Sequence, residues 1–329
     1  MSAPPLLLAA PMHGAAGARL RPLLVAIAAL HPTRFLVATP SELDLAPGPA
    51  LTTADWLDDA RLDGMPHLHI LADHPAAAHV LRAALLRPGV TVLEDAGLAR
   101  LYQSISLDAG DPQAWLRLLG QHHGAVGRRL GRAQLAGVFS AAQRHRMPML
   151  DAVAEAAPLL VVRSRHALAF LPPGARAVVL PPGCPPAAPA RAPGRVLATA
   201  TAPAWLREAA ALADAELQTG DDAGAAAMLA LSLPFGTTPP DAVARALARG
   251  LPVLTWEGDP AAEWPEAVVL RTPFPAEPPA LAAAIRALLE QAESLGAAAL
   301  QHAAAHGADA AARALLALVP GCRVPPAAP

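Results

Sequence analysis

The chain has 329 residues, enough for two domains of ordinary size, and 54% are hydrophobic while only 3% are aromatic, so its core must be aliphatic. A formal net charge of -2 excludes a global attraction to nucleic acid or to an acidic membrane. All 25 basic residues are arginine, so no ammonium is available to hold a phosphate or to form a Schiff base.

The N-terminal run Leu6–Ala10 is too short for a signal h-region, has no basic residue before it, and reads as a first buried strand. A helix near Ala18–Leu30 and a strand at Arg34–Ala38 follow. Gly14 and Gly17 sit in the first strand-to-helix turn. They either let backbone approach a phosphate or acceptor closely, or simply make the turn.

Further on come a strand at His67–Ala72, a helix near Pro75–Leu86 and a strand at Val90–Glu94. Continuous apolar runs separated by helices predict a parallel sheet covered on both faces, with ligands beyond the C-terminal strand ends. Asp73 and His74 follow one such strand, and Glu94 and Asp95 lie at the end of the next. Either carboxylate of the second pair could deprotonate an acceptor hydroxyl if burial raised its pKa, or could sit at a helix N-terminus. Asp73 and His74 read as acceptor contacts or as an ordinary turn.

Residues Asp111–Ala157 have a helical pattern with a basic cluster at Arg128, Arg129, Arg132, Arg144 and Arg146. It reads as a solvated face, or as a surface for membrane phosphates or an acidic partner. Strand character returns at Pro158–Arg163 and Ala177–Leu180. The proline-rich segment PPGCPPAAPARAP then predicts a linker.

A second α/β unit runs from Arg195–Thr199 to about Leu270. Its clearest part is an apolar run at Met228–Leu233, a turn with Gly236, Thr237 and Thr238, a helix opened by Pro239 and Pro240, and a strand at Leu251–Thr255. That turn places backbone N–H groups and two hydroxyls at the positive end of a helix, suited to phosphate, although a threonine there could equally cap the helix. Asp241 and Arg245 lie on the helix; Arg245 either pairs with phosphate or faces solvent. Ala280–Leu318 is helical and broken near Gly307, and the last residues form a tail.

The predicted organisation is an N-terminal domain over residues 1–180, a linker over 181–194, a C-terminal domain over 195–320 and a tail over 321–329. Cys184 and Cys322 show no metal-ligand spacing and read as reduced thiols of a cytoplasmic protein. No apolar run approaches the roughly 20 residues needed to span a bilayer. The histidines at His67/His69, His122/His123 and His302/His306 lack completing carboxylates or cysteines at recognisable spacing, so no metal site is expected. Asp58–Asp59 and Asp221–Asp222 end no clear strand and are not metal motifs.

Four segments, in this order, resemble bacterial GT-B type glycosyltransferases of the broad group 1 / family 4 class. They are APMHGAAGARLRPLLVAIAAL, HLHILADHPAAAHVLRAALLRPGVTVLEDAGLARLY, VVRSRHALAFLPPGARAVVLPPGCPP and LSLPFGTTPPDAVARALARGLPVLTWEGDPAAEWPEAVVL. The resemblance implies an α/β GT-B-like fold of two Rossmann-like doubly wound domains facing a cleft, the C-terminal one shortened. It implies a nucleotide-diphosphate sugar as donor, a glycan, lipid-linked or protein acceptor, and no metal or other cofactor. No nucleic acid and at most peripheral membrane contact are expected.

It further implies Asp95 or Glu94 as the catalytic carboxylate, and Gly236, Thr237, Thr238, Asp241 and Arg245 at the donor. Gly14, Gly17, Asp73, His74 and Ser164 would line the acceptor side. The chain departs from the pattern at several points. The segment between Arg195 and Met228 is short, with room for roughly one βα unit, and has no counterpart of the basic pair that usually cups the diphosphate. Threonine stands in the donor turn and Arg245 on the helix where glutamates are usual, so the donor motif is degenerate. Glu94 replaces a histidine before Asp95, and Arg163 replaces a histidine before Ser164. These departures leave a rival expectation, a catalytically inactive GT-B-like binding or scaffold module of a glycosylation system.

Overall fold

The computed structural model describes residues 4–59, 62, 64–138, 147–187, 192–198, 202–219, 225–231 and 240–323. The chain divides into two compact units. One comprises Met1–Leu180 with Ala312–Pro329, and the other Pro181–Ala311.

The first unit is built on seven parallel strands: β1 (Leu6–Ala9), β2 (Thr33–Val37), β3 (Ala50–Thr52), β4 (His67–Leu71), β5 (Val90–Leu93), β6 (Leu159–Val162) and β7 (Ala177–Val179). Their order is β3-β2-β1-β4-β5-β6-β7, with Leu8 in register with Phe35 on one side and with Leu68 on the other. The chain first builds outward from β1 through β2 to β3, then returns to lay β4 on the other side of β1. The C-terminal ends of β1 and β4 therefore flank a topological switch point, where open parallel sheets present a crevice.

Leu6, Leu7, Leu8 and Ala9 are all fully buried, because helices cover both faces of the sheet. The same is true of β4, whose His67 and His69 point into the interior. His69 Nε2 bonds the Arg87 carbonyl at 2.9 Å and His67 Nε2 the Leu62 carbonyl at 3.3 Å. Burial pulls His69 down to about 4, so it stays neutral. These two histidines are thus taken up by backbone.

The helices of this unit are α1 (Gly14–Leu30), α2 (Thr53–Asp58), α3 (Ala78–Leu86), α4 (Ala99–Ser104), α5 (Pro112–Leu135), α6 (Asp151–Ala156) and α7 (Arg165–Leu168). Trp56 and Trp115, both fully buried, and Tyr102 are the buried aromatic side chains of a core cluster otherwise built from aliphatic residues and methionine. The predicted helix over Asp111–Ala157 is interrupted: Gly124 has non-helical angles (φ 59°, ψ -139°) inside α5.

The second unit has five parallel strands, β8 (Arg195–Ala198), β9 (Glu216–Thr219), β10 (Ala227–Ala230), β11 (Val253–Trp256) and β12 (Val269–Thr272), in the order β12-β11-β10-β8-β9. Its switch point lies between β8 and β10. Helices α8 (Ala204–Leu212), α9 (Pro240–Ala248), α10 (Pro278–Glu290) and α11 (Ala292–Ala305) belong to it. One face of the sheet buries Val243, Leu247 and Trp264; the other buries Leu206, Leu281 and Ile285.

Two boundaries differ from the sequence reading. Cys184, inside the predicted linker, is buried in the second core and its N–H bonds the His306 carbonyl at 2.8 Å. A proline-rich run can be ordered when one apolar side chain finds a core. The last helix, α12 (Ala308–Leu318), passes from one unit to the other, and residues from Ala312 onward group with the first unit rather than ending a C-terminal domain at 320. Among the described residues no helix is long and apolar enough to cross a membrane.

Candidate functional site

At the switch point of the first sheet, the turn after β1 carries His13 and Gly14 and the turn after β4 carries Asp73 and His74. Gly14 has φ +67°, and a Cβ there would lie 3.8 Å from His74 Cε1, so the two turns adjoin. Gly17 has a different role. A Cβ on it would fall 2.4 Å from the carbonyl carbon of Met12 and 2.5 Å from its oxygen, so glycine is what lets the turn fold back on the helix. Helix α1 starts at Gly14 with no side-chain cap from His13 and no acidic residue in its first turn. Seventeen residues long, it directs its positive end and uncapped N–H groups to the switch point.

Asp73 is held between two elements. Its N–H donates to Asp95 Oδ2 at 2.7 Å, and its own Oδ1 accepts from Leu101 N–H at 2.8 Å. Burial pushes the Asp73 carboxyl up to about 7, and the Asp95 charge adds to this; the Leu101 and Arg100 N–H groups and the Arg100 guanidinium pull the other way. Asp95 thus positions and tunes its neighbour, and Asp73 is the group poised to exchange a proton near neutrality.

His74 accepts from Ala76 N–H at 3.1 Å through Nδ1, capping the 3-10 turn Pro75–Ala77. In this arrangement the ring proton sits on Nε2, which is then a donor. Burial lowers the His74 pKa, and the nearby charges of Arg100, Arg19 and His13 lower it further. His13 Nδ1 lies 3.0 Å from Glu42 Oε1, while Glu42 Oε2 accepts from Ala38 N–H after β2. Sequence reasoning missed Arg19, Arg100, His13 and Glu42. The available signal was their place in the segments that follow β1, β2 and β5, strands that end at the same sheet edge.

Glu94 is not available for the catalytic part expected of it. Its Oε1 accepts from Arg163 Nε at 3.0 Å and Nη2 at 2.5 Å, and Arg163 Nη1 also donates to the Leu180 carbonyl. The guanidinium is buried and occupies the carboxylate, leaving it to bind the ends of β5 and β6 together. Ser164 is likewise structural: its Oγ accepts from Ala167 N–H at 3.2 Å and caps α7.

In the second unit, Gly236, Thr237 and Thr238 lie outside the described residues, as do 199–201. Asp241 and Arg245 are on α9 and pair with each other at 3.7 Å, both partly exposed. Trp256, the last residue of β11, lies between Trp205 (centroids 5.9 Å apart) and Phe274 (5.2 Å, edge-on), and Phe274 is half exposed. Among the described residues no group of three His, Cys, Asp or Glu side chains could hold a metal ion.

No protein-family model matches the chain, and no curated protein matches it in sequence. Solved structures do match over nearly its whole length. HepE of Anabaena, solved with UDP-glucose, is 14% identical with a TM-score of 0.55, covering 95% of this chain and 98% of that one. Sucrose-phosphate synthase of Thermosynechococcus elongatus is 16% identical with a TM-score of 0.52, covering 95% and 97%. WaaG, a glycosyltransferase involved in lipopolysaccharide biosynthesis, is 12% identical with a TM-score of 0.51, covering 96% and 100%. This chain has the GT-B fold. At such identities the likeness carries the fold and nothing finer. Within the GT-B fold, the 3-2-1-4-5-6 order of strands in the first unit and the 2-1-3-4-5 order in the second are the two common doubly wound orders.

Proposed function

We propose that this chain is a metal-independent glycosyltransferase, moving a sugar from a nucleotide diphosphate to a hydroxyl of a glycan, lipid-linked or protein acceptor. The observation that carries the reading is Asp73. It lies at the switch point of a parallel sheet, has a pKa of about 7, and is fixed by Asp95 and Leu101. A base with that pKa is half ionised at neutral pH, the condition under which it can accept a proton and drive transfer.

In this mechanism Asp73 takes the proton of the acceptor hydroxyl. The acceptor oxygen forms a bond to the anomeric carbon as the bond to the diphosphate breaks, and the nucleoside diphosphate leaves with the electron pair. A single displacement of this kind inverts the anomeric centre. His74, with its proton on Nε2, is the donor that orients a sugar hydroxyl. Gly236, Thr237 and Thr238 are proposed to bind the diphosphate through N–H and hydroxyl groups, with Asp241 and Arg245 on the helix that follows. The fold shared with nucleotide-sugar enzymes supports the donor class, and HepE was solved with UDP-glucose.

The test is release of nucleoside diphosphate from a panel of nucleotide sugars, with and without acceptor sugars, followed by the anomeric configuration of any product. Wild-type turnover abolished in Asp73→Asn supports the reading. Turnover unchanged in that variant overturns Asp73 as base. The engagement of Glu94 by Arg163 favours a second reading, a GT-B module that binds without catalysis. Nucleoside diphosphate stabilising the chain thermally with no turnover of any donor would select it.

A further inference from the structure

Between β5 and β6 the first unit carries a helical hairpin. A straight helix would place residues 115 and 134 about 28 Å apart. Instead Trp115 Nε1 donates to Gln134 Oε1 at 2.9 Å, so α5 doubles back at Gly124. The arms touch backbone to backbone, since a Cβ on Gly127 would fall 2.1 Å from the Leu119 oxygen.

On this hairpin lies a solvent-open cavity of about 380 Å³ lined by Arg117, Arg128 and Arg132 and by Gln113 and Gln121, all five of them exposed. No carboxylate lines it. Arg128 is laid across Gly120, where an added Cβ would meet its Nη1 at 2.8 Å and its Cγ at 3.1 Å. The glycine therefore makes the seat that directs this guanidinium. The acidic neighbour of Arg117 is Asp111, 3.5 Å away, and both side chains are more than half exposed. A pair of that kind contributes little and yields readily to a better anion.

We propose that this cavity binds a phosphate group carrying two or more charges, a monoester or a diphosphate. A guanidinium is a planar fork that can hold two phosphate oxygens at once, and a dianion answers three neighbouring positive charges better than a single carboxylate does. The site is separate from Asp73 and does not depend on the transfer reaction.

The experiment uses the full chain and isothermal titration with pyrophosphate, together with sedimentation on vesicles of phosphatidic acid and, as control, phosphatidylcholine. The variants are Arg128→Gln, Arg132→Gln, Gly120→Ala, which displaces Arg128 without altering charge, and Arg129→Gln, an exposed neighbour outside the cavity. Circular dichroism confirms that each is folded. Loss of one forked contact should weaken binding about tenfold or more. The proposal predicts that loss for Arg128→Gln, Arg132→Gln and Gly120→Ala, with Arg129→Gln within twofold of wild type.

An effect confined to pyrophosphate assigns the site to a soluble phosphate, and one confined to phosphatidic acid vesicles assigns it to a lipid headgroup. Pyrophosphate binding at the proposed donor site would persist in Arg128→Gln, so only the Arg128-dependent part is read. No Arg128-dependent binding of either probe overturns the proposal. So does an equal loss in Arg129→Gln, which would mean diffuse charge and no site.

Discussion

Arg163 donates from Nε and Nη2 to the same carboxylate oxygen of Glu94, joining the residue after β6 to the residue after β5. Each of these residues stands where the glycosyltransferase resemblance expects a histidine. In this chain the two positions form one buried ion pair.

The pair predicts a non-additive stability pattern. The Arg163 side chain is 4% exposed and that of Glu94 12%, so removing either partner strands a charge. Arg163→Met should cost about 3–5 kcal/mol, and Glu94→Met a similar amount. The double substitution should recover much of that loss. Urea denaturation of all four proteins measures this, and additive losses would contradict a coupled pair.

Asp73 predicts a pH dependence with a definite sign. Its pKa is about 7 in the folded chain against an ordinary 3.8, so between these values the folded state holds a proton that the unfolded state lacks. This contribution is complete below 3.8 and is lost as pH rises towards 7. Asp73→Asn should flatten that part of the stability profile. Transfer should show the complementary limb, rising through about pH 7 as the proton leaves the base. A rate independent of pH across that interval would exclude the group.

Gly17 predicts a cost confined to packing. Gly17→Ala places a methyl group 2.4 Å from backbone that has no flexible end to move aside, so the turn after β1 must shift. A loss of about 1–3 kcal/mol is expected. Gly14→Ala meets no close atom but sits at φ +67°, and should cost about 1–2 kcal/mol through backbone strain. Thermal denaturation of both variants tests the distinction, together with acceptor KM, which should rise for each because His13 and His74 border this turn.

The proposed metal-independent transfer predicts that EDTA leaves donor turnover unchanged. Added magnesium should then raise the rate by less than twofold. Loss of turnover in EDTA, restored by a divalent cation, would instead mean that the diphosphate leaves with metal assistance.

Much of this fold was legible in the chain. Parallel strands buried on both faces must be apolar at every position, so Leu6–Ala9, Val90–Leu93 and Val253–Trp256 read as unbroken runs. The short edge strand β3 and the half-exposed β9 carry no such run and went unrecognised. Asp73, His74 and Asp95 were legible as candidates for a related reason: a parallel sheet gathers its ligand contacts where strands end. Gly124 could not be read as a reversal, because glycine in a helical pattern is usually tolerated without one.

The order of the elements and the residues that end each strand were thus determined by local pattern, since burial on two faces and helix periodicity act over a few neighbours. The assignment of roles was decided only by tertiary structure. Glu94 and Asp95 are adjacent in the chain, yet Arg163, 69 residues away, takes one, while the other meets Asp73, 22 residues away. Charge pairing and desolvation depend on distance through space, and the folding of the sheet is what sets those distances.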